Sequence, residues 1–399
     1  MTQIASRVER LAVSQTLAMS QKSRELQDKG ADVINLSVGQ PDFPTPEHIK
    51  QAAVEAIKQN YTGYTPVPGY ADLLDAIVAK LKRDNQLDYT RSQIVVSNGA
   101  KHSLANILLS VVEAGDEVIV PAPYWVSYVE LVKLAEGKNV VVPTTLEESF
   151  KITPEKLRAA ITPKTKAMFL CSPSNPTGSL YTRDELRALA DVIKEADHPI
   201  YIISDEIYEL INYVGKHESI AQFSDIKDQV IVVNGVSKGY SMTGWRIGYI
   251  AAPEWLAKAC NKVQGQMTSG ACSISQKASV AALSGDHTPT QEMLAAFRKR
   301  RDLVAEGVKE IPGFEANVPQ GAFYLFPKVQ ELFGSHYEQY TINNANDLCM
   351  YLLETVHVAM VPGEAFGAPG YLRLSYAASE KELKEALQRI KKAVQKLTR

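Results

Sequence analysis

The sequence predicts an α/β protein with a large domain, built on a mostly parallel sheet flanked by helices, and a smaller α+β domain. Short continuous apolar runs alternate with longer helical patterns through the middle of the chain, and this character changes near residue 288. Chemically distinctive residues follow directly after the apolar runs. Continuous apolar strands are typical of parallel sheets covered on both faces, where ligands bind beyond the carboxyl ends of the strands. We therefore expect a site at that edge.

The length and composition fit this class. The chain has 399 residues, enough for two domains, with 45% hydrophobic residues, 22% charged residues and a net charge of −2. A nucleic-acid-binding protein would carry a basic excess, so no nucleic-acid partner is expected. The first twenty residues lack a signal-peptide apolar core, and no window of about 18 uninterrupted apolar residues predicts a membrane span. A soluble, cytoplasmic protein without membrane partners is the expectation.

The cysteines give no sign of a metal or of a disulfide framework. Cys171, Cys260, Cys272 and Cys349 show no CxxC spacing. We therefore expect buried free thiols in a reducing compartment, and no bound metal.

The elements of the large domain are predicted from the apolar runs. Five runs are expected to form strands: 94–97, 117–120, 167–170, 200–203 and 230–233. A helix is expected to follow the first run through Leu104 and Leu108. Another should begin at Thr182, where Glu185 three residues on completes a capping box.

The second domain is predicted after residue 288. A long charged helix over 290–311 should be followed by strands at 321–326 and 371–375 and by a last helix from Glu380. The predicted division is an N-terminal arm that contributes to the small domain, a large domain and a small C-terminal domain: 1–47, 48–288 and 289–399.

Lys238 is the predicted catalytic residue. It follows the apolar run 230–233, and Arg246 comes eight residues later. A lysine fixed at a strand end can form an imine with a carbonyl cofactor, and an arginine one loop away can hold that cofactor's phosphate. A solvated surface lysine is the alternative. The arrangement favours pyridoxal 5'-phosphate chemistry, in which Lys238 also moves the proton at the substrate Cα.

Three further residues are predicted to contact the cofactor ring. Asp205 follows an apolar run, so its carboxylate needs a buried partner such as a protonated pyridine nitrogen; an N-capping aspartate is the alternative. Tyr208, one helical turn further on, and Asn175, in a Pro-rich turn, could both donate to the ring's phenolic oxygen.

Other candidates surround these. Gly99, Ala100 and Lys101 begin a helix after a strand, where free N–H groups suit a phosphate. Trp125 could stack on a flat heterocycle or belong to the core. Arg373 lies in an otherwise apolar run, so it either grips a substrate α-carboxylate or forms a structural salt bridge.

Together these segments resemble the pyridoxal-phosphate-dependent aminotransferases of the aspartate aminotransferase type, and specifically their bacterial subgroup. The resemblance runs nearly end to end and is carried by these segments: 36–43, 63–66, 175–178, 205–208, 237–238, Arg246 and Arg373. It implies the type I fold of pyridoxal-phosphate-dependent transferases and a homodimer with shared active sites. In that family Gly39 would meet the substrate carboxylate, and Tyr64 would reach the neighbouring subunit's phosphate.

The resemblance also bears on the substrate. Lys101 would look after the distal carboxylate of aspartate or glutamate, while Trp125 and Asn175 would contact substrate as well as cofactor. One departure is Gly235, where many relatives carry a phosphate-binding serine, and Ser237 is expected to supply that contact.

The expected function is transfer of an amino group from L-aspartate to 2-oxoglutarate by a ping-pong mechanism. Prephenate, aromatic or alanine transamination is the alternative within the same chemistry. A non-catalytic regulatory or ligand-binding protein of this fold is a second alternative, against which the intact Lys238, Asp205 and Arg373 argue. A dehydrogenase is disfavoured because no GxGxxG follows the first strand.

Overall fold

The computed structural model describes residues 4–13 and 15–399. The α-helices within that part of the chain are α1 (Ser6–Glu9), α2 (Gln15–Asp28), α3 (Glu47–Lys58), α4 (Ala71–Lys80), α5 (Ala100–Val111), α6 (Ser127–Leu134), α7 (Pro154–Ala160), α8 (Arg183–Lys194), α9 (Glu254–Met267), α10 (Ser273–Ser284), α11 (Thr288–Lys309), α12 (Ala345–Val356) and α13 (Glu380–Val394). The strands are β1 (Ile34–Asn35), β2 (Ile94–Ser97), β3 (Glu117–Ala122), β4 (Lys138–Pro143), β5 (Thr165–Cys171), β6 (Tyr201–Asp205), β7 (Val230–Gly235), β8 (Gly248–Ala251), β9 (Tyr324–Leu325), β10 (His336–Tyr337), β11 (Tyr340–Thr341), β12 (Val358–Ala359), β13 (Val361–Pro362) and β14 (Leu372–Ser375).

A seven-stranded sheet forms the centre of the molecule, in the order β2-β8-β7-β6-β5-β3-β4. The strands from β7 to β4 pair in parallel, whereas β8 runs antiparallel to both of its neighbours. All five predicted strands are present, and the α/β class with a mostly parallel sheet is confirmed. The sequence analysis did not predict β4 and β8: β4 lies at a half-exposed edge, and β8 (Gly248–Ala251) begins with a glycine and has no long apolar run.

Both faces of this sheet are buried, as a continuous apolar strand requires. Consecutive residues of β6 pack into different cores: Ile202 joins the cluster that contains Val232, and Ile203 joins the cluster that contains Val233. Successive side chains of a strand point to opposite faces, so a fully apolar run can be buried only between two helical layers.

A third core joins the start of the chain to its C-terminal part. The strand β1 pairs in parallel with β12, and Leu36 packs with residues of α11, α12 and α13. The predicted long helix is confirmed as α11. Of the predicted strand 321–326 only β9 is regular, so that prediction is wrong for the flanking residues. The domain boundaries themselves stay a prediction.

Of the two local structures predicted from the segments at Thr182 and Asp205, one is confirmed and one is wrong. The capping box at Thr182 is confirmed, with its side chain accepting from the N–H of Glu185 and the Glu185 carboxylate accepting from the N–H of Thr182. The helical turn expected after Asp205 is wrong, because residues 207–210 form a non-helical turn.

The four cysteines are free, but Cys272 is exposed at the N-cap of α10, so the expectation of burial fails there, and Cys171 is only partly buried. Within the described residues, the helices include none with the length and apolar character needed to cross a membrane.

Candidate active site

A cavity of about 110 Å³ opens at the carboxyl ends of β5, β6 and β7, facing the first turn of α5. Its walls combine apolar, aromatic and charged side chains. They are Ala100, Lys101, Trp125, Tyr128, Cys171, Asn175, Asp205, Ile207, Tyr208, Ser237, Lys238, Thr243 and Arg246. The edge of the sheet thus brings together most of the residues that the sequence selected.

Lys238 lies in the turn that follows β7, with its amine donating to the carbonyl oxygen of Gly39. Burial, and then the positive charges of Arg373 and Arg246, lower the pKa of Lys238 to about 8 against the opposing effect of Asp205. Near neutral pH an appreciable fraction of this amine is uncharged, which is what a nucleophile and proton acceptor requires. The alternative of a solvated surface lysine is wrong.

Asp205 is the last residue of β6 and is buried. Its Oδ2 accepts a 2.6 Å hydrogen bond from the hydroxyl of Tyr128, and its Oδ1 accepts from the N–H of Ile207 at 3.3 Å. Burial raises the pKa of Asp205 to about 6, although the bond from Tyr128 favours the ionised form. The alternative of a helix N-cap is wrong, since no helix starts here.

The first turn of α5 and Arg246 form one wall of the cavity. Gly99 has φ 83°, and a Cβ there would overlap the guanidinium of Arg246, so the helix start and the arginine meet only because this position is glycine. Within the described chain the N–H groups of Ala100 and Lys101 have no acceptor. Free first-turn amides beside a guanidinium make an anion site.

Arg373 is buried in β14, with 2% of its surface exposed. It donates to Oδ1 of Asn175 at 2.9 Å and to the carbonyl oxygen of Ser37 at 2.6 Å, and its Nε has no partner in the described part of the chain. Its guanidinium lies 4.5 Å from the ring centre of Tyr324. No carboxylate of the described residues lies within 4.0 Å, so the structural salt bridge is wrong and the charge is left available to a ligand.

The two predicted donors to the ring oxygen both line the cavity. Asn175 uses its carbonyl oxygen for Arg373, which leaves its amide N–H groups to the cavity. The hydroxyl of Tyr208 shares a 2.8 Å hydrogen bond with that of Tyr324.

The cavity rim is made by Trp125 and Lys101. The Trp125 ring packs edge-on against Tyr128 at 5.5 Å, and the Lys101 ammonium lies 5.0 Å from the Trp125 ring centre. Trp125 is partly buried: it lines the cavity and also packs against the core cluster that contains Val120 and Phe169.

The remaining candidates fall inside and outside the cavity. Ser237 lines it, whereas a side chain at Gly235 would overlap the backbone of Ile247, so Ser237 is the serine that this chain can offer. Gly39 contributes its carbonyl oxygen to Lys238. Tyr64 is fully exposed and lies outside the cavity of its own chain, so its role at a neighbouring subunit stays a prediction.

Sequence reasoning missed several lining residues. Tyr128 hydrogen-bonds to Asp205, and Cys171 ends β5. Behind the lining, Tyr324 hydrogen-bonds to Tyr208. Burial raises the pKa of the Cys171 thiol to about 12, so it is inert. The only sequence signal for Tyr128 was its place one helical turn after Trp125.

Residues 31–390 match the family described as Aminotransferase class I and II. The chain belongs to this aminotransferase family. The matched range includes every residue that lines the cavity, and also Ser37 and Arg373, which lie far apart in the chain and are hydrogen-bonded to each other. It agrees with the resemblance carried by the sequence motifs.

Curated relatives of this aminotransferase cover nearly the full chain. It is 48% identical to the aspartate aminotransferase of Bacillus subtilis over 98% of this chain and 99% of the relative. It is 46% identical to a probable aspartate/prephenate aminotransferase of Rickettsia bellii, again over 98% and 99%.

Solved structures have the same fold. The aspartate aminotransferase of Rhizobium meliloti superimposes with a TM-score of 0.96 at 44% identity, over 100% of both chains. That of Thermus thermophilus with maleate gives 0.93 at 40% identity, over 98% of this chain and 100% of the other.

Proposed function

We propose that this aminotransferase uses pyridoxal 5'-phosphate to move the amino group of L-aspartate to 2-oxoglutarate, giving oxaloacetate and L-glutamate. The observation that carries the proposal is Lys238, an amine of lowered pKa that lines the same cavity as the carboxylate of Asp205 and the guanidinium of Arg246. Relatives named aspartate aminotransferase support the choice of donor.

The cavity residues fit this cofactor at each of its polar groups. The free amides of Ala100 and Lys101 and the guanidinium of Arg246 suit a phosphate. Asp205 suits a protonated ring nitrogen, because a buried carboxylate needs a cationic or donor partner. The exposed face of Trp125 suits a flat ring.

When bound, pyridoxal phosphate supplies an electron sink for the negative charge that develops at the substrate Cα. Arg373 binds the substrate α-carboxylate and so orients the Cα–H bond toward Lys238. The amine of Lys238 would take the proton from Cα and deliver it to the cofactor's aldehyde carbon, the other carbon bonded to the transferred nitrogen. Asp205 holds a proton at the ring nitrogen throughout.

We propose that Lys101 recognises the distal carboxylate of the substrate. Burial, and then the positive charge of Arg246, lower the pKa of Lys101, and its amine stands at the cavity rim with no ion pair among the described residues. A free ammonium at that rim favours a dicarboxylic donor. Prephenate is the second candidate, supported by relatives that carry both activities in their names.

A homodimer and a cytoplasmic location are also part of the proposal. Tyr64 is fully exposed, and the neighbouring Thr65 packs on the segment after α9, where Met267 is also exposed. Exposed large apolar side chains in one region favour a protein interface. The four free cysteines favour a reducing compartment.

The decisive experiment is Lys238→Ala. The variant should lose aspartate–2-oxoglutarate transamination by at least about 10⁴-fold, because a single residue supplies both the nucleophile and the proton acceptor. With pyridoxal phosphate, the variant should also lack the absorbance band near the visible edge that the imine at Lys238 gives the unaltered protein. Lys258→Ala, which changes an exposed lysine of α9, is the matched control. Transamination at ordinary rates in Lys238→Ala would refute the assignment.

A further inference from the structure

A second group of buried charges lies directly behind the cavity, starting at the residue after Asp205. The N–H of Glu206 donates to the carbonyl oxygen of Val233 at 2.9 Å, so Glu206 continues the hydrogen bonding of the sheet. Because successive side chains alternate between faces, Asp205 faces the cavity and Glu206 faces away from it. We call the polar residues on that far side, Lys80, Asn85, Ser204, Glu206, Glu209, His217 and Ser219, the rear cluster.

The carboxylate of Glu206 is 1% exposed and held from three directions. Its Oε1 accepts from the hydroxyls of Ser204 at 2.8 Å and Ser219 at 2.7 Å, and its Oε2 accepts from Nε2 of His217 at 3.0 Å. A carboxylate with three donors is fixed in position.

The rest of the rear cluster is already paired. The ammonium of Lys80 forms an ion pair with Glu209 and donates to Asn85 at 2.7 Å, and Asn85 in turn donates to Glu209 at 2.8 Å. Lys80 therefore compensates Glu209. The basic side chain beside Glu206 is His217.

His217 can change its charge without losing that contact. Its Nδ1 has no partner among the described residues, so Nε2 donates to Glu206 whether the ring is neutral or protonated. Burial alone would lower the pKa of His217, but the carboxylates of Glu206 and Glu209 outweigh it and raise the pKa above its usual value. Lys80 opposes them.

The other charged groups around His217 are accounted for. Asp84 lies 3.9 Å from Lys80, and a groove of about 490 Å³ beside the ring gives it a route to solvent protons. The groove carries charges of both signs, namely Asp88, Arg183, Lys216, Glu218 and Lys227. None of these groove cations lies within 4.0 Å of the Glu206 carboxylate in the described chain, so none takes the place of His217.

The charge of the rear cluster affects the pKa of Asp205, because Glu206 is the next residue in the chain. Burial is the main reason why the pKa of Asp205 is raised, and the negative charge of Glu206 raises it further. An uncompensated Glu206 would therefore favour a protonated Asp205, which could no longer hold a protonated ring nitrogen.

We propose that Glu206 and His217 are positioning residues for the transamination site: Glu206 anchors the end of β6, and His217 carries the counter-charge that keeps Asp205 ionised. This inference rests on the proposed function, since it assigns Asp205 to the cofactor ring. It makes His217 a residue that acts on the cofactor from outside the cavity.

The test uses opposite changes of charge. Cofactor-free full-length protein is titrated with pyridoxal phosphate between pH 5 and 8, following the absorbance, to find the pH at which affinity falls on the acid side. His217→Gln should move this midpoint upward by roughly half a unit or more, and Glu206→Gln should move it downward. The double variant should lie between them. The cofactor's own ionisations affect all variants equally, so they do not contribute to the differences between midpoints.

Ser219→Ala is the matched control, because it removes a hydrogen bond to the same carboxylate without changing charge. It should lower the melting temperature and leave the acid midpoint in place. Shifts of the two single variants in the same direction, or a His217→Gln profile equal to that of Ser219→Ala, would overturn the inference. If Glu206→Gln fails to fold, the comparison of His217→Gln with Ser219→Ala decides alone. Absence of binding by the unaltered protein would instead refute the proposed function.

Discussion

The cavity and the rear cluster lie on either side of the Asp205–Glu206 peptide and differ in how their charges are paired. The cavity is lined by the cations Lys101, Lys238 and Arg246 and by one carboxylate, Asp205. Beside it, Arg373 contacts the lining residue Asn175 and has no acidic partner within 4.0 Å in the described chain. In the rear cluster each buried carboxylate has a basic partner: Lys80 for Glu209, and for Glu206 the ring of His217, which is a cation when protonated. One side is balanced by the protein itself, and the other is left with excess positive charge.

The difference shows which charges serve the fold and which await a ligand. A buried charge without a partner destabilises a protein, so an excess of cations is retained only where anionic ligands compensate it. A phosphate and the carboxylates of a dicarboxylic substrate would do so in the cavity. Removing a charge should therefore affect stability in the rear cluster and binding in the cavity.

The largest effect is expected for Lys80→Met. It would leave Glu209 buried without its cation, and the free energy of unfolding should fall by about 3–5 kcal/mol. Urea denaturation followed by circular dichroism measures this. Lys82→Met, which breaks an exposed pair with Asp88, should cost at most about 1 kcal/mol. Equal losses in the two variants would contradict the balance described for the rear cluster.

Arg373→Gln should show the reverse behaviour. The substrate α-carboxylate loses its charged donors, so kcat/KM for aspartate should fall by roughly 10²–10³-fold, or about 3–4 kcal/mol. Stability should hardly change, because no carboxylate is left unpaired. Arg300→Gln is the contrast, since it breaks a 2.6 Å ion pair with Asp42 and should lower stability more than it lowers kcat/KM. A collapse of stability in Arg373→Gln would refute its assignment to the ligand.

A smaller effect is expected at the rim. Lys101→Gln should reduce the preference for aspartate over alanine by about tenfold, through loss of one charged contact to the distal carboxylate. Steady-state rates with the two amino donors give the ratio. Lys133→Gln, whose lysine is already paired with Glu130 at 2.9 Å, should leave it unchanged. An unaltered ratio in Lys101→Gln would remove the support for acidic specificity.

The smallest effect concerns the pH dependence of Lys238. Its pKa of about 8 means that the amine is protonated below that pH and increasingly reactive above it. In cofactor-free protein, arylation of Lys238 measured by mass spectrometry should have a midpoint near pH 8. Because Arg246 lowers this pKa, Arg246→Gln should raise the midpoint by a fraction of a unit. Arg158→Gln, remote on α7, should not move it.

The sequence located most of the site because the strands of a parallel sheet end at a common edge. Lys238, Asp205 and Asn175 each follow an apolar run, and in this sheet all three line one cavity. Tyr128 and Tyr324 escaped notice, since a tyrosine that hydrogen-bonds to a residue far along the chain leaves no local pattern. The helical reading after Asp205 failed because the non-helical turn there packs against the third core, which no short segment specifies.

The sequence by itself determined the class of fold, five of the seven strands of the central sheet and the chemical types that meet at their ends. Periodicity, capping residues and the positions of lysine, aspartate and arginine are local properties, and local physics fixes them. Tertiary structure alone decided that Arg373 has no acidic partner among the described residues while Glu209 is paired with Lys80 and Glu206 with His217. Charge balance in a buried site depends on distances between residues far apart in the chain, and only packing sets those distances.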